Sequence, residues 1–268
     1  MNNRSKPRQV VGIVLSALWM SVGAACSPAV SQKEMAQAKI HYDIAVRQMN
    51  GGDMRGALRE LLATVEFDPY LAHAHNALGL VYHSLGHTDE ALQHYQKAVQ
   101  LDPKFSAAQN NYGTLLTALG RYDEAIKSFS IAVGDILYPT PSMAEGNMGW
   151  AYYKKGDVEQ GIRHLGNAIA TDPKFCRGYE WLMRIGLDTD RPEMAISNHA
   201  RFQRRCVKDP NIGPGIPTVY LQQMDYYLGL GHLKQGDRQT ARTTFEKCAH
   251  RGESDYGDKC SMSLAALQ

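Results

Sequence analysis

"AHAHNALGLVYHSLGHTDEALQHYQKAVQLDPKF" occupies residues 72–105, and its pattern returns in "AAQNNYGTLLTALGRYDEAIKSFSIAV" from Ala107 onward. Gly86 and Gly120 are 34 residues apart, and so are Ala91 and Ala125. The pairs Asp68–Pro69 and Asp102–Pro103 keep the same interval of 34. Farther on, "KKGDVEQGI" sets Gly156 and Gly161 at the corresponding places, and Asp172–Pro173 closes that unit. A fixed period of this length marks a chain built from stacked supersecondary units, each unable to bury its apolar face alone.

The pattern resembles the tetratricopeptide repeat. Leu78, Gly79, Tyr82, Ala91, Tyr95, Ala98 and Pro103 fall at that family's characteristic positions. Each position has a local physical reason. Small residues at Gly79 and Ala91 let the two helices of a hairpin, A and B, approach closely. Tyr82 and Tyr95 are expected to fill the space between neighbouring hairpins. Gly86 can adopt the left-handed conformation that ends helix A. Asp89 and Glu90 lie in the first turn of helix B, where the helix dipole favours negative charge. Pro103 stops helix B, or begins the next helix, without needing an amide donor.

Six units are expected over residues 37–262, starting near residues 38, 72, 106, 142, 176 and 222. The first keeps Gly52, Ala57 and Pro69. The fifth is degenerate, with "DRPEMAI" preserving mainly Ala195. The sixth keeps Gly229, Gly236, Ala241 and Phe245. Between them, the Gly and Pro density of "KDPNIGPGIPTVY" reads as a loop that interrupts or bends the stack. The resemblance implies an all-α, right-handed superhelical solenoid whose concave surface, lined by A helices, receives a peptide or a partner's helix.

The N-terminal segment speaks to location. "MNNRSKPR" is basic, and the apolar run Val10–Ala25 follows it. That run has the length of a signal-peptide core and falls short of the ~20 residues of a comfortable membrane span. Gly23, Ala24 and Ala25 precede Cys26, so the segment resembles a bacterial lipobox, with Gly23 where Leu is usual. Residues 1–25 are then a lipoprotein signal peptide. Cys26 becomes the lipidated first residue, and 26–36 form a lipidated tether. The covalent lipid on Cys26 is the only attached group expected; no cofactor is. Ser27 in place of Asp implies the outer membrane, facing the periplasm. Loss of Arg4, Lys6 and Arg8 takes the formal charge from +2 to −1. No basic block survives, which excludes nucleic acid as a natural partner.

An oxidising compartment permits disulfides among Cys176, Cys206, Cys248 and Cys260, with three possible pairings. Repeat geometry favours Cys176–Cys206, at adjacent ends of the antiparallel helices of the fifth unit, which leaves Cys248–Cys260. No "CxxC" or "CxxCH" occurs.

Candidate groove residues are mixed and partly apolar: Tyr42 and Val46; His73, Asn76, Leu80 and His83; Asn110, Thr114 and Thr117; Met143, Trp150, Tyr153 and Lys154. Trp150 and Tyr153 stand out as aromatic anchors. Five histidines crowd the second unit, but His73 and His75 point to different sides of one helix. His73 and His83 lie about 15 Å apart at the helical rise. The histidines therefore do not read as a metal site. The Lys and Asn pattern of carboxylate-clamp repeats is missing: Tyr42, Val46 and Ala77 occupy those positions, and Asn111 alone matches. Neither "GxSxG" nor "HExxH" nor a phosphate loop is present, so a binding scaffold without catalytic chemistry or a small-molecule substrate is expected.

Signal segment, lipobox, six repeats and about 240 mature residues together resemble the outer-membrane pilotin lipoproteins of type IV pili. The resemblance implies a secretin as partner, help with its localisation and multimerisation, and a role in twitching or gliding motility. The alternative is an adaptor for outer-membrane β-barrel assembly or for cell-wall enzymes.

Overall fold

The computed structural model describes residues 30–267. Its helices are α1 (Gln32–Asn50), α2 (Met54–Phe67), α3 (Ala72–Ser84), α4 (Thr88–Leu101), α5 (Ser106–Ala118), α6 (Tyr122–Gly134) and α7 (Pro141–Lys155). They continue with α8 (Val158–Thr171), α9 (Cys176–Asp188), α10 (Pro192–Phe202), α11 (Thr218–Lys234), α12 (Arg238–Ala249) and α13 (Asp255–Ala265). There is no strand among the described residues. Consecutive helices pair into six hairpins, from α1–α2 to α11–α12, and α13 covers the last one.

The second, third, fourth and sixth hairpins close on a glycine of helix A. A Cβ on Gly79 would lie 2.5 Å from the ring of Tyr95, and one on Gly113 would lie 2.8 Å from Phe129. Tyr95 thus fills the space inside its own hairpin, and it also joins Tyr112 and Leu116 of the next in one core. Tyr95, Phe129 and Phe245 are all fully buried. Burial of such side chains contributes ~1.5–3 kcal/mol each. Gly86 has φ +84°, as the end of α3 requires; in the fifth hairpin Asp190 takes that place at φ 56°.

Between hairpins, Asp-Pro turns recur in one geometry. The Oδ1 atoms of Asp68, Asp102 and Asp172 accept from the backbone two residues on, at 3.0, 3.0 and 2.9 Å. The proline carbonyl then meets the fourth residue of the A-helix frame: His75 at Pro69 (3.0 Å), Gln109 at Pro103 (2.9 Å) and Tyr179 at Pro173 (2.9 Å). Three unlike side chains do one job, giving the proline carbonyl of the turn a hydrogen-bond partner.

A polar pair 19 residues apart also crosses the first, second and fourth hairpins. It is His41–Glu60 (2.7 Å), His75–His94 (3.0 Å) and Glu145–His164 (2.9 Å). The histidines of the second unit are thereby divided. His75 and His94 belong to this internal pair, with Tyr82 stacked on His94 at 5.3 Å. His73, His83 and His87 are exposed.

Three boundaries differ from expectation. Residues 32–36 are helix rather than tether, because Ser31 and Glu34 form a capping box that starts α1 at Gln32. The helical body runs past 262 to Ala265. The sixth A helix begins at Thr218, so Thr218, Val219 and Tyr220 are helical rather than loop. Nor does the preceding loop interrupt the stack there, since a Cβ on Gly231 of α11 would lie 3.2 Å from Ile196 of α10. Cys26 and the signal segment lie outside the described residues.

Candidate functional site

The A helices α1, α3, α5 and α7 carry the candidate groove residues, and the structure sorts them into three kinds. Tyr42 and His73 come together and line a cavity of about 350 Å³ between α1 and α3. His73 also packs on Phe105, with ring centres 4.4 Å apart. Leu80, 38% exposed, and His83 face solvent.

Asn76 and Asn110 are not free groove side chains: both are buried. Asn111 Nδ2 donates to Asn76 Oδ1 at 3.0 Å, tying α5 to α3. Asn147 Nδ2 donates to Asn110 Oδ1 at 2.9 Å, tying α7 to α5. These amides hold adjacent hairpins in register, because a buried amide left unpaired costs ~1–3 kcal/mol.

Thr114 and Trp150 belong to the third kind. They line a cavity of about 420 Å³ across α5, α7 and α9, together with Thr117, Asn147 and Lys154. Its far wall is Arg177, Trp181 and Arg184 of α9. The rings of Trp150 and Trp181 stack at 5.1 Å and 14°. The Arg184 guanidinium sits 5.4 Å over Trp150, and that of Arg177 5.8 Å over Trp181. Phe175 meets Trp181 edge-on at 6.0 Å. Such cation–π contacts hold the two guanidiniums in place and leave N–H groups free for an incoming acceptor.

Tyr153 lies 5.1 Å from Trp150, behind the cavity wall. Its hydroxyl donates to Asp188 Oδ2, and burial with that carboxylate pushes its pKa up to about 12. It therefore stays protonated and anchors α7 to the end of α9. Trp150 is half-buried against Trp181 of the next hairpin.

Trp181, Arg177 and Arg184 were not among the sequence candidates. A signal for them existed. Arg177, Trp181 and Arg184 stand at i, i+4 and i+7, one face of a helix. Arg184 also holds in the fifth unit the place Trp150 holds in the fourth.

The fifth hairpin has its own fastenings. A disulfide joins Cys176, at the start of α9, to Cys206 on the π-helical turn Gln203–Val207 that ends α10, with Cα atoms 6.0 Å apart. A second joins Cys248 of α12 to Cys260 of α13, with Cα atoms 6.1 Å apart. Both Cα separations lie in the ordinary range. Asp225 of α11 is fully buried and lies 3.3 Å from His199, 2.7 Å from Arg251 and 3.5 Å from Lys247. Burial pushes its pKa up, but hydrogen bonds from His199 and Arg251 and the charges of Lys247 and Arg251 outweigh that and hold it below the usual value.

Models of the tetratricopeptide repeat match residues 72–105, 94–127 and 224–251. The fold is a tetratricopeptide-repeat solenoid. Among solved structures it is similar to PilW, described as a widely conserved type IV pilus biogenesis factor. That match has 23% identity and TM-score 0.72 over 82% of this chain and 96% of that one. It is also similar to pilF of Pseudomonas aeruginosa, at 19% identity and TM-score 0.68 over 86% of this chain and 100% of that one. A tetratricopeptide repeat protein from Parabacteroides merdae matches at 16% identity and TM-score 0.61, over 86% and 84% of the two chains. At these identities the likeness carries the fold. No curated protein matches the chain.

Proposed function

We propose that the protein is a type IV pilus pilotin: a lipid-anchored scaffold of the outer membrane that brings the pilus secretin there and promotes its multimerisation. The observation that carries this reading is a combination within one chain. A lipobox-like segment ending at Cys26 precedes a solenoid whose shape is like that of PilW, a type IV pilus biogenesis factor, and of pilF of Pseudomonas aeruginosa. A solenoid of this kind offers surfaces rather than reacting groups, so its work is binding. The lipid on Cys26 raises the local concentration of a bound secretin protomer at the membrane, and higher local concentration favours multimers. Several acyl chains on one residue suffice for anchoring, since each buried CH₂ contributes ~0.8 kcal/mol.

Deletion of the gene, followed by envelope fractionation on gels that preserve heat- and detergent-resistant secretin multimers, tests the proposal. Loss of multimers with persistence of monomer is the expected result. Multimers that persist would overturn it and point to β-barrel assembly or cell-wall enzymes as the partner, which affinity capture from membranes would then identify.

A further inference from the structure

We propose that the cavity between α7 and α9 receives an acidic peptide segment whose carboxylates flank an apolar residue. The charge of the wall is the first reason. The cavity is lined by three cations, Lys154, Arg177 and Arg184, and by no carboxylate. The carboxylate nearest Arg184 is Asp188, at 4.0 Å, a distance that leaves the guanidinium donors largely unused. Lys154, Arg177 and Arg184 are all exposed.

The second reason is the aromatic floor. Trp150 and Trp181 are half-buried, stacked on each other, and each is covered by one guanidinium. An apolar side chain laid on the open part of the rings buries area, while the arginines on either side take carboxylates in bidentate fashion. The third reason is spacing. Arg177 and Arg184 are seven residues apart on one helix, which separates them by about 10 Å along the axis. A polyproline-type chain repeats its side-chain direction every three residues, about 9 Å. Carboxylates at i and i+3 therefore match the axial rise between the backbones of the two arginines, and the residues between them lie along the exposed edges of the indoles. Glu180, between the two arginines on the same helix, is half-buried and accepts from Gln223 at 3.1 Å, so Asp188 at the edge is the carboxylate left to a basic segment. The inference rests on the binding role proposed above and names the chemistry of what is bound.

The chain is favourable for a direct test. Of its three tryptophans, Trp19 lies in the signal segment, so the mature chain carries only Trp150 and Trp181, both in this cavity. Mature protein with Cys26→Ser is titrated with the peptide Ac-Gly-Glu-Pro-Leu-Glu-Pro-Leu-Glu-Gly-amide while tryptophan fluorescence is followed. A saturable change is expected. Replacing the three glutamates by glutamine should weaken binding about tenfold or more, as loss of charge-assisted hydrogen bonds implies. Raising the salt should weaken it as well. Arg177→Gln with Arg184→Gln should abolish the difference between the two peptides, with circular dichroism and thermal melt unchanged. Equal binding of the glutamate and glutamine peptides, or no saturable change with either, overturns the inference. Persistence of secretin multimers in the deletion strain alongside glutamate-dependent binding would remove the pilotin reading and leave this one standing. The reverse pair of results would remove this one alone.

Discussion

The hairpin of α5 and α6 and the hairpin of α9 and α10 occupy equivalent places in the repeat but are held by different chemistry. In the first, Gly113 lets α5 approach α6 until Phe129 fills the gap. The chain turns at Gly120, with φ +77°. In the second, the positions of Gly113, Phe129 and Gly120 hold Met183, His199 and Asp190. The bulk has moved from helix B to helix A, and His199 is aimed at Asp225 in the next hairpin. A disulfide and a buried ion cluster replace the lock of glycine and ring. The hairpin that departs farthest from the repeat pattern is also the one whose A helix carries Arg177, Trp181 and Arg184.

The sharpest way to break this comparison is at Asp225. Arg251→Ala leaves the buried carboxylate of Asp225 without its nearest cation and should cost about 3–5 kcal/mol of unfolding free energy in urea. An unchanged midpoint would show that the ion cluster does not hold the fifth hairpin to the sixth. Next, Cys176→Ser with Cys206→Ser opens a loop of 30 residues. Loop-closure entropy puts that loss at about 3–4 kcal/mol. Proteolysis should begin in the segment 203–217, and cleavage elsewhere first would count against the staple. On the other side of the comparison, Gly113→Ala forces a methyl into Phe129 and should cost about 1–3 kcal/mol by overpacking, read from the thermal midpoint. A neutral result would mean that the close approach is incidental.

The smallest effect concerns pH. The first and fourth hairpins pair a histidine with a glutamate, whereas the second pairs His75 with His94. Burial lowers both pKa values, and the neighbouring His75 lowers His94 further, to about 4. The unfolded chain then binds more protons than the folded one between those values and about 6.5. The stability contributed by the neutral pair is full above pH ~6.5 and falls as the pH drops toward 4. His94→Gln should flatten that part of the stability profile, and an unaltered slope would assign the acid sensitivity elsewhere.

Much of the architecture was legible in the sequence. The 34-residue period at Gly86 and Gly120 places the hairpins; one disulfide joins Cys176 and Cys206, as repeat geometry paired them, and the other joins Cys248 and Cys260, the two that pairing left. The capping signal in "SQKE" was equally legible at residues 31–34, and it moves the helical body five residues into the expected tether. The groove was legible only in part. Thr114 and Trp150 line the cavity across α5, α7 and α9, but Asn76 and Asn110 are spent on inter-hairpin bonds. Those bonds span 35 and 37 residues rather than 34, and the longer one crosses the extra residues of the loop between α6 and α7.

Sequence by itself determined which residues share a helix face, because 3.6 residues per turn and a fixed repeat leave little choice. Whether a given face meets water or the next hairpin was decided only by the tertiary structure. Small shifts in how neighbouring helices cross turn one amide into a buried bond. They also bring Trp181 of the fifth unit onto Trp150 of the fourth, between two arginines.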